Sequence, residues 1–71
     1  MMDWFVIYCH PSDHPKHYVV RRWVIDGGQA LPTNEYQLAN TLGDARMLVP
    51  EGLVRIPRED GDDRCIVESW F

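Results

Sequence analysis

Residues 17–28 read HYVVRRWVIDGG, and this segment predicts an antiparallel β-sheet. Its first nine residues, 17–25, are rich in β-branched and aromatic side chains, which favour a strand. Asp26, Gly27 and Gly28 then end the strand, because these residue types favour turns with positive φ. The apolar run at residues 3–9 predicts the preceding strand. The two strands would form a hairpin with a long loop.

The rest of the chain predicts a short helix and further strands. Residues 29–35 predict a loop and residues 36–39 a short edge strand. After the helix we expect a third strand at 53–57, an acidic turn at 59–63 and a fourth strand at 65–71. Thr41 can cap a helix that ends at or just before Val49, since Pro50 disfavours helix in the residue before it. In the alternative, the helix begins earlier, with its cap at Thr33. The prediction is an α+β fold, an antiparallel sheet of about four strands (β-β-α-β-β) with one short helix packed on one face.

Length and composition indicate a single small globular domain over residues 1–71. Hydrophobic residues make up 45% of the chain and charged residues 25%, which are ordinary values for a globular protein. No run approaches the roughly 18 apolar residues of a membrane span, and the N-terminus lacks the basic segment of a signal peptide. We therefore expect a cytoplasmic protein with no membrane partner, in which Cys9 and Cys65 are free thiols; a bridge between them is the alternative.

Alternation of side chains predicts one sheet face that the helix leaves uncovered. Successive strand residues point to opposite faces, so Trp4, Val6 and Tyr8 share a face. The second strand also has two faces. One face carries Val19, Arg21, Trp23 and Ile25, and the other carries Tyr18, Val20, Arg22 and Val24. One short helix can cover one face, and the other would present aromatic and arginine side chains typical of a partner site or dimer interface. In the alternative, loops 10–17 and 26–35 cover that face.

Six short segments account for much of the chain: YVVRRW at 18–23, ANTL at 39–42, AR at 45–46, GLVRIPR at 52–58, GDD at 61–63 and IVESW at 66–70. In this combination the sequence resembles small uncharacterised proteins encoded by bacteriophages and prophages. The resemblance implies an accessory role in a mobile element or its bacterial host, and it implies no catalytic residues.

All three histidines and one of the two cysteines lie within residues 9–17. A zinc-binding mini-domain would take its ligands from Cys9, His10, His14, His17 and Cys65. Structural zinc sites usually use spaced pairs of ligands, whereas Cys9 and His10 are adjacent and would point to opposite faces of a continuing strand. We therefore predict a polar hairpin loop without metal or other cofactor, and keep zinc as an alternative.

Catalysis would require Cys9 or Ser12 as nucleophile, a nearby histidine as base and Asp13 to orient it. A small sheet with one short helix leaves little room for a cleft that buries a substrate, so we predict no enzyme activity. The acidic turn at 59–63 lacks the twelve-residue spacing of a calcium loop, and we expect a solvated hairpin tip.

The sequence therefore favours a small non-enzymatic protein-interaction module whose partner is another protein or a second copy of the chain. Its candidate contact residues are Tyr18, Arg21, Trp23, Arg55 and Trp70. The alternative is a single-stranded nucleic-acid-binding module using the same face, with arginines on phosphates and aromatic rings stacked on bases. A net charge of −4 disfavours nucleic acid, because such binding depends on neutralising phosphates. The arginines could instead form exposed ion pairs with Glu68, Asp60 and Asp62, which stabilise little.

Overall fold

The computed structural model describes residues 2–71, which form one antiparallel sheet and one short helix. The elements are β1 (Met2–Cys9), β2 (Tyr18–Asp26), β3 (Gln29–Ala39), α1 (Leu42–Met47), β4 (Arg55–Pro57) and β5 (Ile66–Trp70). The strands lie in the order β3-β2-β1-β5-β4. The α+β class and the antiparallel sheet with one helix are confirmed. The sheet has five strands rather than about four, because a complete strand precedes the helix.

The hairpin between β2 and β3 begins where the sequence predicts a turn. Gly27 and Gly28 have φ values of 60° and 82°, as the two-residue type I′ loop of a hairpin requires. This tight turn places Gln29 directly opposite Asp26, so the chain pairs with β2 at once. The prediction of a loop at residues 29–35 is therefore wrong.

A bulge explains why the first half of β3 has the composition of a loop. Pro32 pairs with Trp23 and Tyr36 pairs with Arg21, so three residues of β3 oppose Arg22 alone. The Thr33 hydroxyl donates to the Arg22 carbonyl oxygen at 2.6 Å and accepts from the Glu35 backbone N–H at 3.1 Å. These bonds satisfy backbone groups that the sheet leaves unpaired at the bulge. The alternative of a helix starting at Thr33 is also wrong.

The helix α1 begins at its predicted cap. Thr41 is extended, with φ −133° and ψ 161°, and its hydroxyl accepts from the Asp44 backbone N–H at 3.1 Å. The helix ends at Met47, slightly before the predicted limit at Val49. Six residues make a helix too short to be stable without packing. The described part of the chain holds no helix with the length and apolar character needed to cross a bilayer.

The core lies between α1 and one face of the sheet. Its buried centre consists of Ile7, Val20, Ala39 and Ala45. The partly buried side chains packed around this centre are Phe5, Tyr18, Leu42, Val49, Val67 and Trp70. Ile7 and Val20 are cross-strand partners of β1 and β2, so α1 covers the sheet face to which they point.

A buried carboxylate joins three elements on the helix-covered face. Glu68 of β5 has 0% exposure, contrary to the expectation of an exposed ion pair. Its Oε1 accepts from Arg46 Nη2 at 2.8 Å and from Arg55 Nε at 2.9 Å. Its Oε2 accepts from Arg46 Nε at 3.0 Å and from Trp70 Nε1 at 2.8 Å. The hydrogen bonds from Arg46, and then those from Arg55 and Trp70, outweigh burial and lower the pKa of Glu68 from 4.5 to about 2.

Replacing Glu68 tests how much this carboxylate stabilises the fold. Glu68→Gln leaves two guanidinium groups without their shared anion, and we expect it to lower the free energy of unfolding by about 3 kcal/mol, at the low end of the cost of breaking a buried ion pair. Urea denaturation at pH 7 measures the loss. The matched control Glu51→Gln changes an exposed carboxylate and should stay within about 0.5 kcal/mol of the wild type.

The pH dependence of stability has a definite sign. The folded-state pKa of Glu68, about 2, lies below its ordinary value of 4.5. The ionised carboxylate therefore stabilises the fold fully above about pH 4.5, and this stabilisation is lost as the pH falls through that value towards 2. We therefore expect denaturation at pH 7, 4 and 2.5 to show that the difference in free energy of unfolding between the wild type and Glu68→Gln shrinks as the pH falls. A difference that stays constant across this range would show that the folded-state pKa of Glu68 is not lowered.

Candidate interaction face

The sheet face opposite α1 is built by alternate residues of neighbouring strands. Register pairs Trp4 with Trp23, Val6 with Arg21 and Tyr8 with Val19, and directly opposed residues share a face. In β3 the matching residues are Tyr36, opposite Arg21, and Leu38, opposite Val19. We call this surface the open face, formed by Trp4, Val6, Tyr8, Val19, Arg21, Trp23, Tyr36 and Leu38, with Phe71 at its border.

Aromatic side chains form a layer over the centre of the open face. The Trp4 ring lies 5.8 Å from the Trp23 ring, at an angle of 46°, and 5.8 Å from the Phe71 ring in an edge-on arrangement. Val6 and Val19 are each only 2% exposed, although α1 lies on the other side of the sheet. Their larger neighbours supply the cover, so this face carries a second apolar layer one side chain thick.

The loop at residues 10–17 lies over one end of the open face. The His14 ring is 5.3 Å from the Tyr36 ring. Pro11 and Asp13 line a shallow cleft of about 290 Å³, whose other walls are Tyr8, Val19, Arg21, Trp23 and Pro32. Residues 26–35, the second segment that could have covered this face, extend the sheet as the β2–β3 hairpin.

Arg21 brings a positive charge to this cleft. Its guanidinium carbon is 5.2 Å from the centre of the Tyr36 ring, a cation–π contact, and its Nη1 donates to the Thr33 carbonyl oxygen at 3.4 Å. Within residues 2–71, Arg21 forms no ion pair with a carboxylate. Arg22 points to the other face and bonds Asp3 at 2.7 Å and Glu35 at 3.0 Å. Of these two adjacent arginines, Arg21 is therefore the one whose charge is available to a partner.

Two indole N–H groups on the open face are buried. Trp4 Nε1 makes no hydrogen bond to any described residue, and Trp23 Nε1 lies beside the Tyr8 hydroxyl, whereas Trp70 Nε1 on the other face donates to Glu68. An unsatisfied buried donor costs about 1–3 kcal/mol. The Trp4 indole therefore lacks the pairing that the Trp70 indole has on the helix-covered face.

Burial raises the pKa of Tyr8 above its ordinary value of 10.0. The neighbouring Trp23 indole and the Arg21 guanidinium act in the opposite direction, and the carboxylates of Asp63 and Asp13 add to the rise. Tyr8 therefore keeps its proton at neutral pH and offers a phenolic O–H to the cleft.

The structure separates the five contact residues that the sequence suggested. Arg21 and Trp23 lie together on the open face, as their spacing predicts. Tyr18 points to the helix-covered face, where it packs against the core, and its ring is 5.3 Å from His10. Trp70 and Arg55 also lie on that side and bond Glu68. The five residues therefore do not form one surface.

Three aromatic residues among the eight that form the open face, Trp4, Tyr8 and Tyr36, were missing from that set. Trp4 and Tyr8 could have been found, because alternation in the first strand already placed both on one face. Tyr36 could not, since it was assigned to a short edge strand whose register with β2 was unknown. Its place beside Arg21 depends on the bulge earlier in β3.

The cysteine and histidine residues of the first loop are spread over both faces. Cys9 and Cys65 are free thiols, and the backbone N–H of Cys9 donates to the Cys65 carbonyl oxygen at 2.6 Å. His10 contacts Tyr18 on one face, whereas His14 contacts Tyr36 on the other. Among residues 2–71 no three His, Cys, Asp or Glu side chains are grouped so that they could hold a metal ion.

The acidic turn at 59–63 is closed by its own backbone contacts. Asp62 Oδ2 accepts from the Glu59 backbone N–H at 3.0 Å, and Asp63 Oδ1 accepts from the Cys65 backbone N–H at 2.9 Å. Arg58 donates to the main-chain oxygen of Asp62 at 3.3 Å, where the sequence suggested a carboxylate partner. These side chains shape the turn that precedes β5.

The charges around Tyr8 can be tested by titration. Arg21→Gln removes a positive charge that favours the phenolate, so the pKa of Tyr8 should rise further. Asp13→Asn removes a negative charge, so that pKa should fall. NMR detection of the tyrosine Cζ resonances during titration separates Tyr8 from the other tyrosines. Identical Tyr8 titration curves in both variants and the wild type would show that the loop does not pack as described.

Comparisons with known proteins give no match: no protein-family model, no curated protein and no solved structure matches this chain. Function is therefore inferred from the chain's own geometry.

Proposed function

We propose that the protein is a small non-enzymatic protein-interaction module that binds its partner through the open face. The observation that carries this proposal is the aromatic layer of Trp4, Trp23 and Phe71 beside an arginine without a carboxylate partner. Tryptophan, tyrosine and arginine are the residue types that contribute most to binding energy at protein interfaces. On this face they are adjacent, and no helix covers them.

The chemistry of the cleft favours an extended peptide segment of the partner. Tyr8 and Trp23 give aromatic walls, to which Tyr8 adds an O–H group, and Pro11 and Pro32 add further apolar lining. Aromatic grooves of this kind suit extended backbone, whose carbonyl groups accept hydrogen bonds. Arg21 adds a preference for a carboxylate. The ligand we propose is an extended peptide with an apolar residue in the cleft and an acidic residue beside Arg21.

Nucleic acid fits the open face less well. Three of the six arginines, Arg22, Arg46 and Arg55, are held in ion pairs on the other side of the sheet, and Arg21 is the arginine that the strand register places on the open face. The carboxylates of Asp13, which lines the cleft, and Asp63 both act on the pKa of Tyr8. A single positive charge among acidic neighbours offers little to a phosphate backbone.

The biological setting we propose is that of a phage or prophage accessory protein acting in the bacterial cytoplasm. The support for this setting is the sequence resemblance of the six segments between residues 18 and 70. An interaction module suits such a role, because a short chain with one binding surface can act on a larger protein without an active site.

Peptide selection followed by variant analysis tests the proposed function. Peptides selected on the immobilised protein from a random library should be enriched in acidic and apolar residues. In fluorescence polarisation, Arg21→Glu should raise their dissociation constant at least tenfold, about 1.4 kcal/mol. The matched control Arg58→Glu reverses an exposed charge outside the open face and should change it less than about twofold. Circular dichroism confirms that both variants fold.

Two outcomes would overturn the proposal. Selected peptides that bind Arg21→Glu as tightly as the wild type would place their site elsewhere. Oligonucleotide binding at low salt that weakens steeply as salt is added would favour the nucleic-acid alternative.

A further inference from the structure

The sheet ends on one side in a long strand with a free edge. In the strand order β3-β2-β1-β5-β4, β3 has 11 residues and a single neighbour, β2. The outer backbone N–H and C=O groups of such a strand can pair with another strand. The opposite edge, β4, has only three residues, and the last of them is Pro57. Strand addition is therefore favoured at β3.

Protection of this edge is confined to the first half of β3. Pro32 lies there, followed by the bulge opposite Arg22, and both features oppose strand addition. Residues 35–39 contain neither proline nor lysine, the residues that usually protect an edge. Their one charged side chain, Glu35, is bonded to Arg22 at 3.0 Å. The apolar side chains Tyr36 and Leu38 are 44% and 42% exposed.

We propose that β3 pairs antiparallel with β3 of a second copy about a two-fold axis at Gln37. In this register Tyr36 of one copy lies opposite Leu38 of the other, and the same contact is repeated across the axis. Glu35 lies opposite Ala39, so no like charges are directly opposed. The segment around Gln37 can therefore pair with an antiparallel copy of itself, with apolar side chains facing apolar ones.

This self-complementarity selects a second copy over a foreign strand. An axis at Tyr36 would place Leu38 opposite Asn34, and an axis at Leu38 would place Tyr36 opposite Asn40, so each would pair an exposed apolar side chain with a polar one. The axis at Gln37 gives both apolar residues an apolar partner. Because the axis is perpendicular to the sheet, both open faces lie on the same side of a ten-stranded sheet. The dimer does not depend on the proposed peptide binding.

Solution mass measured against concentration is the first test. In light scattering, the average mass of the wild type should rise from that of one chain towards that of two as the protein concentration increases. Leu38→Lys places a charge at the edge and should raise the dissociation constant of the dimer roughly tenfold or more. The control Met47→Lys introduces the same charge at an exposed helix residue away from the edge and should dimerise like the wild type.

Cross-linking tests the register. In a background with Cys9→Ser and Cys65→Ser, Gln37→Cys places two thiols opposite each other at the axis, close enough for a disulfide. Glutathione disulfide is the oxidant: the two thiols lose two electrons and two protons, and two glutathione thiols form. We expect a linked dimer for Gln37→Cys at least tenfold faster than for the control Gln29→Cys.

Three results would overturn the dimer. The wild type could stay monomeric at the highest concentration, Leu38→Lys could leave the dissociation constant unchanged, or Gln37→Cys and Gln29→Cys could cross-link at equal rates. None of these results would affect peptide binding by the open face.

Discussion

The buried Glu68 carboxylate is the interaction on which the rest of the structure depends. A helix of six residues is not stable alone, and α1 buries only Ala45 completely. The carboxylate bonds Arg46 in α1 and Arg55 in β4, so the helix and the short edge strand are fixed to β5 by one group. This arrangement keeps Ile7 and Val20 covered. Removing one member leaves the other charges unmatched, so we expect the members of this network to affect stability together.

The size of the helix then decides how the two sheet faces differ. One face is closed by α1, and its polar groups are satisfied, as the Trp70 indole shows. The other face is closed by its own large side chains and, at one end, by the loop at residues 10–17, and the Trp4 indole N–H has no acceptor among the described residues. We therefore regard the open face as a consequence of the short helix, which covers one side of the sheet.

Local features could be predicted from the sequence, and long-range features could not. The Thr41 cap, the Gly27-Gly28 turn and the alternation of β1 and β2 depend on neighbouring residues, and all three agree with the structure. The first half of β3 was missed because Pro32 and its neighbours have the composition of a loop and lie beside a bulge. Burial of Glu68 was missed because its partners come from three elements. The positions of Tyr18 and Trp70 likewise required knowing which face α1 covers.

NMR mapping with a selected peptide tests whether the protein binds through the open face. On adding the peptide, we expect the largest amide and side-chain shifts at Tyr8, Arg21, Trp23 and Tyr36, with intermolecular contacts to the Trp23 ring. The residues of α1 should hardly change. Shifts centred on α1 and β4, with the open face unchanged, would show that the peptide binds on the other side of the sheet.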